Sequence, residues 1–225
     1  GLKTLPSYLR ELGYDVLLVG KSHLKPAEQF PWTEWIQPVE KAGYPRPGIS
    51  IEEVDQYLTE REKPFCLIIA SEYPHGPYFK ESKFKPEEVS LPPFQYDNTG
   101  SRNYFGRYYT SIEEKENEFD AILNLVDQHN LRDETIVFYA DDHGMARGKF
   151  TVHKSGLNVA LMVRWPGNIK PGRTDALISF ADFVPTLIDL ASNDGLDKKN
   201  NFDGKSLVKI FETGSVSHHE YLFGV

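Results

Sequence analysis

Phe65-Cys66-Leu67-Ile68-Ile69-Ala70 is an unbroken apolar run that passes directly into the polar stretch Ser71-Glu72-Tyr73-Pro74-His75. Six residues are too few for a stable helix, and their continuous apolarity reads as a strand buried on both faces rather than one with a solvated side. The same grammar recurs on either side. Val16-Leu17-Leu18-Val19 ends in Gly20-Lys21-Ser22-His23, and Thr135-Ile136-Val137-Phe138-Tyr139 ends in Ala140-Asp141-Asp142-His143-Gly144. Val159 to Val163 supply a fourth run before Trp165-Pro166-Gly167.

Helical patterns separate these runs. Leu5, Tyr8, Leu9 and Leu12 recur at helical spacing, with Pro6 suited to the first turn and Gly13 to the stop. Ile51 to Glu62 predicts a charged helix. Ile112, Phe119, Ile122, Leu123 and Val126 predict a long amphipathic helix from Tyr108 to near Asn130, and Phe183 to Leu190 predict another with Pro185 in its first turn. Residues 26–50 and 76–107 carry many prolines without a clear period and read as irregular excursions. Strands alternating with helices predict one α/β domain, a largely parallel mixed sheet sandwiched between helices.

With 225 residues the chain can bury one sizeable core. Its 33 acidic and 25 basic side chains leave a net charge of −8, which argues against a nucleic-acid-binding surface. No apolar run approaches the roughly 18 residues of a membrane span. Cys66 is the single cysteine, so no internal disulfide or thiolate cluster is available, and it reads as a strand residue. The start at Gly1, without Met, reads as a fragment.

In parallel sheets, ligands sit beyond the carboxyl ends of the strands, and three of these strands end in titratable residues. Lys21 and His23, two apart on an extended segment, form a cationic fork suited to an anionic oxygen. His75 is placed by the flanking Pro74 and Pro77. Asp142 and His143 at a strand end suit a divalent cation, because carboxylate and imidazole there are costly to desolvate without one. Their chemistry alone leaves calcium, zinc and manganese open. Lys149 in Arg147-Gly148-Lys149 adds positive charge, with His153 and Lys154 as weaker rim residues. His218 and His219 have no spaced partner and receive no role.

The order and wording of these segments resemble the type I sulfatases, of the alkaline-phosphatase-like superfamily. Gly20-Lys21-Ser22-His23-Leu24 is similar to that family's Gly-Lys-x-His-Leu, Pro74-His75-Gly76-Pro77-Tyr78 to its Pro-His-x-Pro-Tyr, and Tyr108-Tyr109-Thr110-Ser111-Ile112 to its Tyr-Tyr-Ala-Ser-Ile. Asp141-Asp142-His143-Gly144 resembles its metal-binding turn, and Gly148-Lys149 followed by Arg164-Trp165-Pro166-Gly167 its Gly-Lys turn and strand tail. Asp182-Phe183-Val184-Pro185-Thr186-Leu187 and Asp203-Gly204-Lys205-Ser206-Leu207 resemble two closing markers.

The resemblance implies an alkaline-phosphatase-like fold, with residues 1–225 part of a single catalytic domain. It implies hydrolysis of sulfate esters or sulfamates of a small molecule or carbohydrate. Asp142 and His143 would hold a divalent cation, usually Ca2+ in the family, with Mn2+ or Zn2+ as alternatives. Lys21 and Lys149 would hold sulfate oxygens, His23 would act near the nucleophile, and His75 would assist the leaving group. It implies a formylglycine nucleophile made by a maturation enzyme, and a periplasmic, secreted or lysosomal setting.

Departures accompany these matches. The family's Cys/Ser-x-Pro-x-Arg does not occur, and Cys66 lacks the following Pro and Arg. The family's paired metal-binding aspartates and C-terminal subdomain are expected outside the chain, so the fragment alone is expected to be inactive. Asp141 stands where Ser or Thr is commoner, and Asn158 and Ala160 replace the usual Arg and Pro. Two rival readings remain: a phosphodiesterase or phosphonate hydrolase of the same fold, and a non-catalytic protein that binds anionic glycans.

Overall fold

A computed structural model describes residues 3–144, 149, 151–192, 195, 201–214 and 217–222. The chain forms two compact units, residues 1–129 and 130–225.

In the first unit, helix α1 (Leu5–Glu11) leads into strand β1 (Asp15–Gly20), followed by β2 (Glu34–Ile36), helix α2 (Ile51–Glu60), β3 (Phe65–Ala70) and helix α3 (Thr99–Gln128). The three strands form one sheet in the order β2-β1-β3, and both pairings are parallel. Between β1 and β3 the register runs from Asp15 opposite Phe65 to Gly20 opposite Ala70, so the two strands end level. Val16, Leu17, Leu18 and Val19 are all at most 2% exposed. Successive strand side chains point to opposite faces, so burial of all four means that both faces of the sheet are covered. At about 1.5–3 kcal/mol for each large aliphatic side chain, this strand alone is a major part of the unit's core.

The sequence explains most of these bounds. Pro6 opens α1, and Gly13, at φ 89°, ends the turn after it. Asn98 caps α3 by accepting a hydrogen bond from Ser101 N at 2.8 Å. That cap starts the helix nine residues ahead of the Tyr108 expected from periodicity, inside a stretch read as irregular. The segment 26–50 also departs from the irregular reading, because Glu34–Ile36 pairs with β1. Three residues are too few to show alternation, and β2 is defined by its pairing with the side of β1 opposite β3.

The second unit contains β4 (Val137–Ala140), helix α4 (Lys154–Leu157), β5 (Leu161–Arg164), helix α5 (Phe183–Ala191) and helix α6 (Val208–Thr213). β4 and β5 pair antiparallel, with Val137 opposite Arg164 and Ala140 opposite Leu161. The parallel pairings thus lie in the three-stranded sheet and the antiparallel pairing in a separate two-stranded one. Phe138 of β4 packs against Phe183 and Phe211, with ring centroids 5.7 and 6.0 Å apart, and Ile188, Leu207 and Ile210 of the same unit are buried. Among the described residues, no helix is long and apolar enough to cross a membrane.

Candidate active site

Lys21 and His23 follow the carboxyl end of β1, and His75 follows that of β3. The parallel register continues one step past the strands, where Lys21 N donates to Ala70 O at 2.9 Å. Gly20 makes this possible. Its φ is 86°, and a Cβ there would lie 2.5 Å from Ala70 O, so a side chain would push the two strand ends apart. The indole of exposed Trp35 donates to Gly20 O at 2.8 Å and fixes the turn from the other side. Lys21 is half-buried and His23 exposed, and neither side chain makes a hydrogen bond or ion pair among the described residues. Both are therefore available to a ligand.

The approach to His75 is braced from below. Ser71 Oγ donates to Glu118 Oε2 at 2.6 Å and accepts from Tyr73 N at 3.0 Å, and Ile49 N donates to Glu118 Oε1 at 3.0 Å. Arg46 pairs with Glu72, both largely buried, while Tyr73 donates its hydroxyl to Arg46 O at 2.9 Å. His75 N donates to Glu72 O at 3.0 Å, closing the turn. The His75 ring is exposed, with Nδ1 2.6 Å from Gly76 O. Because a carbonyl only accepts, Nδ1 carries the proton and Nε2 is left to face a ligand.

The bracing carries its own electrostatics. Glu118 is 4% exposed, and burial pushes its pKa up against the opposing hydrogen bonds from Ser71 and Ile49 and the charge of Lys41, with nearby Glu114 adding to the rise. Burial, reinforced by Glu114, pushes Tyr73 up to about 12. Cys66 lies in β3, and burial pushes its thiol up to about 11, so it is protonated at neutral pH and a poor nucleophile.

In the second unit, Asp142 and His143 follow β4 directly. Asp141 N donates to Ala160 O at 3.3 Å, which extends the β4–β5 ladder by one residue, and Gly144 N donates to Gly156 O of α4 at 3.0 Å. A Cβ on Gly144 would run into the Ser155 carbonyl, so the turn requires glycine. His143 N donates to Asp142 Oδ1 at 3.0 Å, and His143 Nδ1 lies 2.7 Å from Gly144 O. This leaves His143 Nε2 as the free lone pair, 3.7 Å from Asp142 Oδ2. One oxygen and one nitrogen at that spacing fit part of the ligand set of a single divalent cation. Among the described residues no third imidazole, carboxylate or thiolate joins them.

Lys149 is half-buried in a turn, while its neighbours Arg147 and Gly148 lie outside the described residues. His153 and Lys154 are exposed at the start of α4.

Residue-by-residue reading missed two features. The Arg46–Glu72 and Ser71–Glu118 links join segments far apart in sequence and leave no local pattern. The second is the environment of Asp182, whose carboxylate meets His218 and His219. The adjacent histidines were visible, but their partner lies 36 and 37 residues upstream.

Comparison with known proteins agrees with this architecture. A profile of the sulfatase family matches residues 1–193. An ulvan-active sulfatase of Formosa agariphila is 37% identical over 228 residues, spanning 100% of this chain and 45% of its own length. The chain therefore spans about half the length of that curated relative. Among solved structures, the phosphonate monoester hydrolase of Agrobacterium radiobacter superposes with a TM-score of 0.69 at 16% identity, covering 94% of this chain and 62% of its own. The PsFucS1 sulfatase of a Pseudoalteromonas species does so with a TM-score of 0.61 at 14% identity, covering 93% and 54%. These two likenesses establish the fold, and the profile match over most of the sequence establishes that the chain belongs to the sulfatase family.

Proposed function

We propose that this chain serves the hydrolysis of sulfate esters or sulfamates on a carbohydrate, and that both of its units belong to one catalytic domain. The observation that carries this reading is the family match over residues 1–193, which contains Lys21, His23, His75, Asp142, His143 and Lys149. The likeness to a relative described as ulvan-active supports a carbohydrate substrate. Family usage points to an exported protein that acquires a formylglycine nucleophile through a maturation enzyme.

The side chains divide the work by charge. Lys21 and Lys149 neutralise sulfate oxygens, on which charge grows as the S–O or S–N bond breaks. His23 holds a proton near the nucleophile. His75, in its doubly protonated imidazolium form, donates the Nε2 proton to the departing oxygen or nitrogen, while Nδ1–H stays on the Gly76 carbonyl. Asp142 and His143 hold the divalent cation, calcium by family usage, which when bound supplies Lewis-acid polarisation of the sulfate group.

A second reading, phosphonate or phosphodiester hydrolysis, is favoured by the imidazole of His143, which suits manganese or zinc better than calcium. The two separate in a protein that carries this chain together with a formylglycine segment. Its kcat/KM on 4-nitrophenyl sulfate is expected to exceed that on a 4-nitrophenyl phosphonate ester, and to fall about 10²- to 10³-fold in Lys149→Ala. Turnover of the phosphonate alone would replace this reading with the second. Binding of sulfated glycan without turnover would leave a non-catalytic relative.

A further inference from the structure

Asp182 is fully buried at the start of α5, with 0% exposure. Its carboxylate accepts hydrogen bonds from Ser179 N and Lys205 N, both at 2.8 Å. Two imidazoles close over the remaining lone pairs. His219 Nε2 is 2.8 Å from Oδ1, and His218 Nε2 is 3.4 Å from Oδ2. The two side chains are 12% and 6% exposed, and their rings stand at 80° with centroids 4.5 Å apart.

A hydrogen-bonded pair would be a sufficient account of His219, but not of His218. Its Nε2 is buried without a hydrogen-bond partner, aimed at a carboxylate oxygen too distant for a good bond. An unmet polar atom in such a place costs about 1–3 kcal/mol. A cation removes the cost, because both imidazoles can then offer lone pairs instead of competing as donors. One donor atom from each of the three residues falls within 4.8 Å of the others. Ligands at about 2.0–2.2 Å around a tetrahedral zinc stand about 3.3 Å apart, so the imidazoles would draw in by at most about 1.5 Å when the ion binds.

We propose that Asp182, His218 and His219 form a divalent transition-metal site of zinc type, which fastens residues 217–222 to the start of α5. The donor set, two imidazole nitrogens and one carboxylate oxygen, selects zinc or a similar ion over calcium and magnesium. Lys205, whose ammonium donates to His218 O at 3.2 Å, is the cation that opposes binding and sets a ceiling on affinity. The site uses none of the residues assigned to sulfate hydrolysis and does not depend on that reading.

The test uses the full chain with Asp142→Ala and His143→Ala, so that the other candidate ligands are removed. After chelator treatment, Zn(II) is titrated in competition with a chromophoric chelator, and Co(II) is followed by its visible absorption. The expected result is one equivalent of Zn(II) and a tetrahedral Co(II) spectrum. His218→Ala and His219→Ala, checked for folding by circular dichroism, are expected to weaken Zn(II) binding about 100-fold or more. In His218→Cys, bound Co(II) is expected to gain a thiolate charge-transfer band. Absence of Zn(II) binding in the parent, unchanged affinity in folded alanine variants, or a Cys variant that binds without the band would each overturn the proposal.

Discussion

Glu118 stands beneath the turn that carries His75, and its ionisation sets a pH dependence that belongs to this one residue. Burial raises its pKa above the ordinary 4.5, with Glu114 adding to the rise and Lys41 opposing it. Between the unfolded and the raised folded pKa, the folded chain holds a proton that the unfolded chain has released, so stability falls as pH rises through that interval. Glu118→Gln keeps an acceptor for Ile49 N and removes the charge. Urea denaturation across a pH series is expected to show a shallower fall in the variant just above pH 4.5, with equal or higher stability at neutral pH. Identical slopes in the two proteins would show that Glu118 carries no such cost. None of this was legible in the sequence. Glu118 occupies a charged stretch of α3 and is distinguished only by Ser71 and Ile49, partners 47 and 69 residues away.

At the scale of elements, the two segments quoted as closing markers prove to be halves of one joint. The Thr186 hydroxyl donates to Asp182 O at 2.5 Å and accepts from Leu207 N at 2.9 Å, while Ser206 Oγ donates to Asp189 Oδ2 at 2.5 Å. Asp182, Thr186 and Asp189 thus present one stripe of α5 to residues 203–207. Thr186 and Leu207 are both fully buried. Thr186→Val preserves the volume but leaves Leu207 N unmet, at an expected cost of about 1–3 kcal/mol in chemical denaturation. Wild-type stability in that variant would mean the joint is held by apolar packing alone. Elements were legible where one residue pattern sufficed. β1 and β3 show as continuous apolar runs, and α1 shows by its period and its Pro6 and Gly13 punctuation. β2 was hidden because it exists only through pairing with β1, the start of α3 because Asn98 caps residues of weak helical preference, and the antiparallel β4–β5 pairing because strand direction leaves no trace in composition.

For the whole molecule, a net charge of −8 is unfavourable to an anionic ligand, so the proposed sulfated substrate would require local cations at strand ends. The first unit provides such a place. β1 and β3 end level, and the polar stretches that carry Lys21, His23 and His75 follow those ends, as the strand-then-polar grammar predicts. The same grammar put Asp142 and His143 at the end of β4. The structural supports of these residues, from Arg46 to Glu118, could not be read because they come from contacts between distant segments.

The role given to His75 is open to the sharpest test. In a protein that carries this chain with its nucleophile segment, kcat/KM is measured for His75→Ala on two sulfate esters, one with a nitrophenol and one with a sugar alcohol as leaving group. A proton donor matters most where the leaving group is basic, so the sugar sulfate is expected to lose about 10²- to 10⁴-fold and the nitrophenyl sulfate far less. Equal losses on both esters, or no loss on the sugar sulfate, would contradict the account.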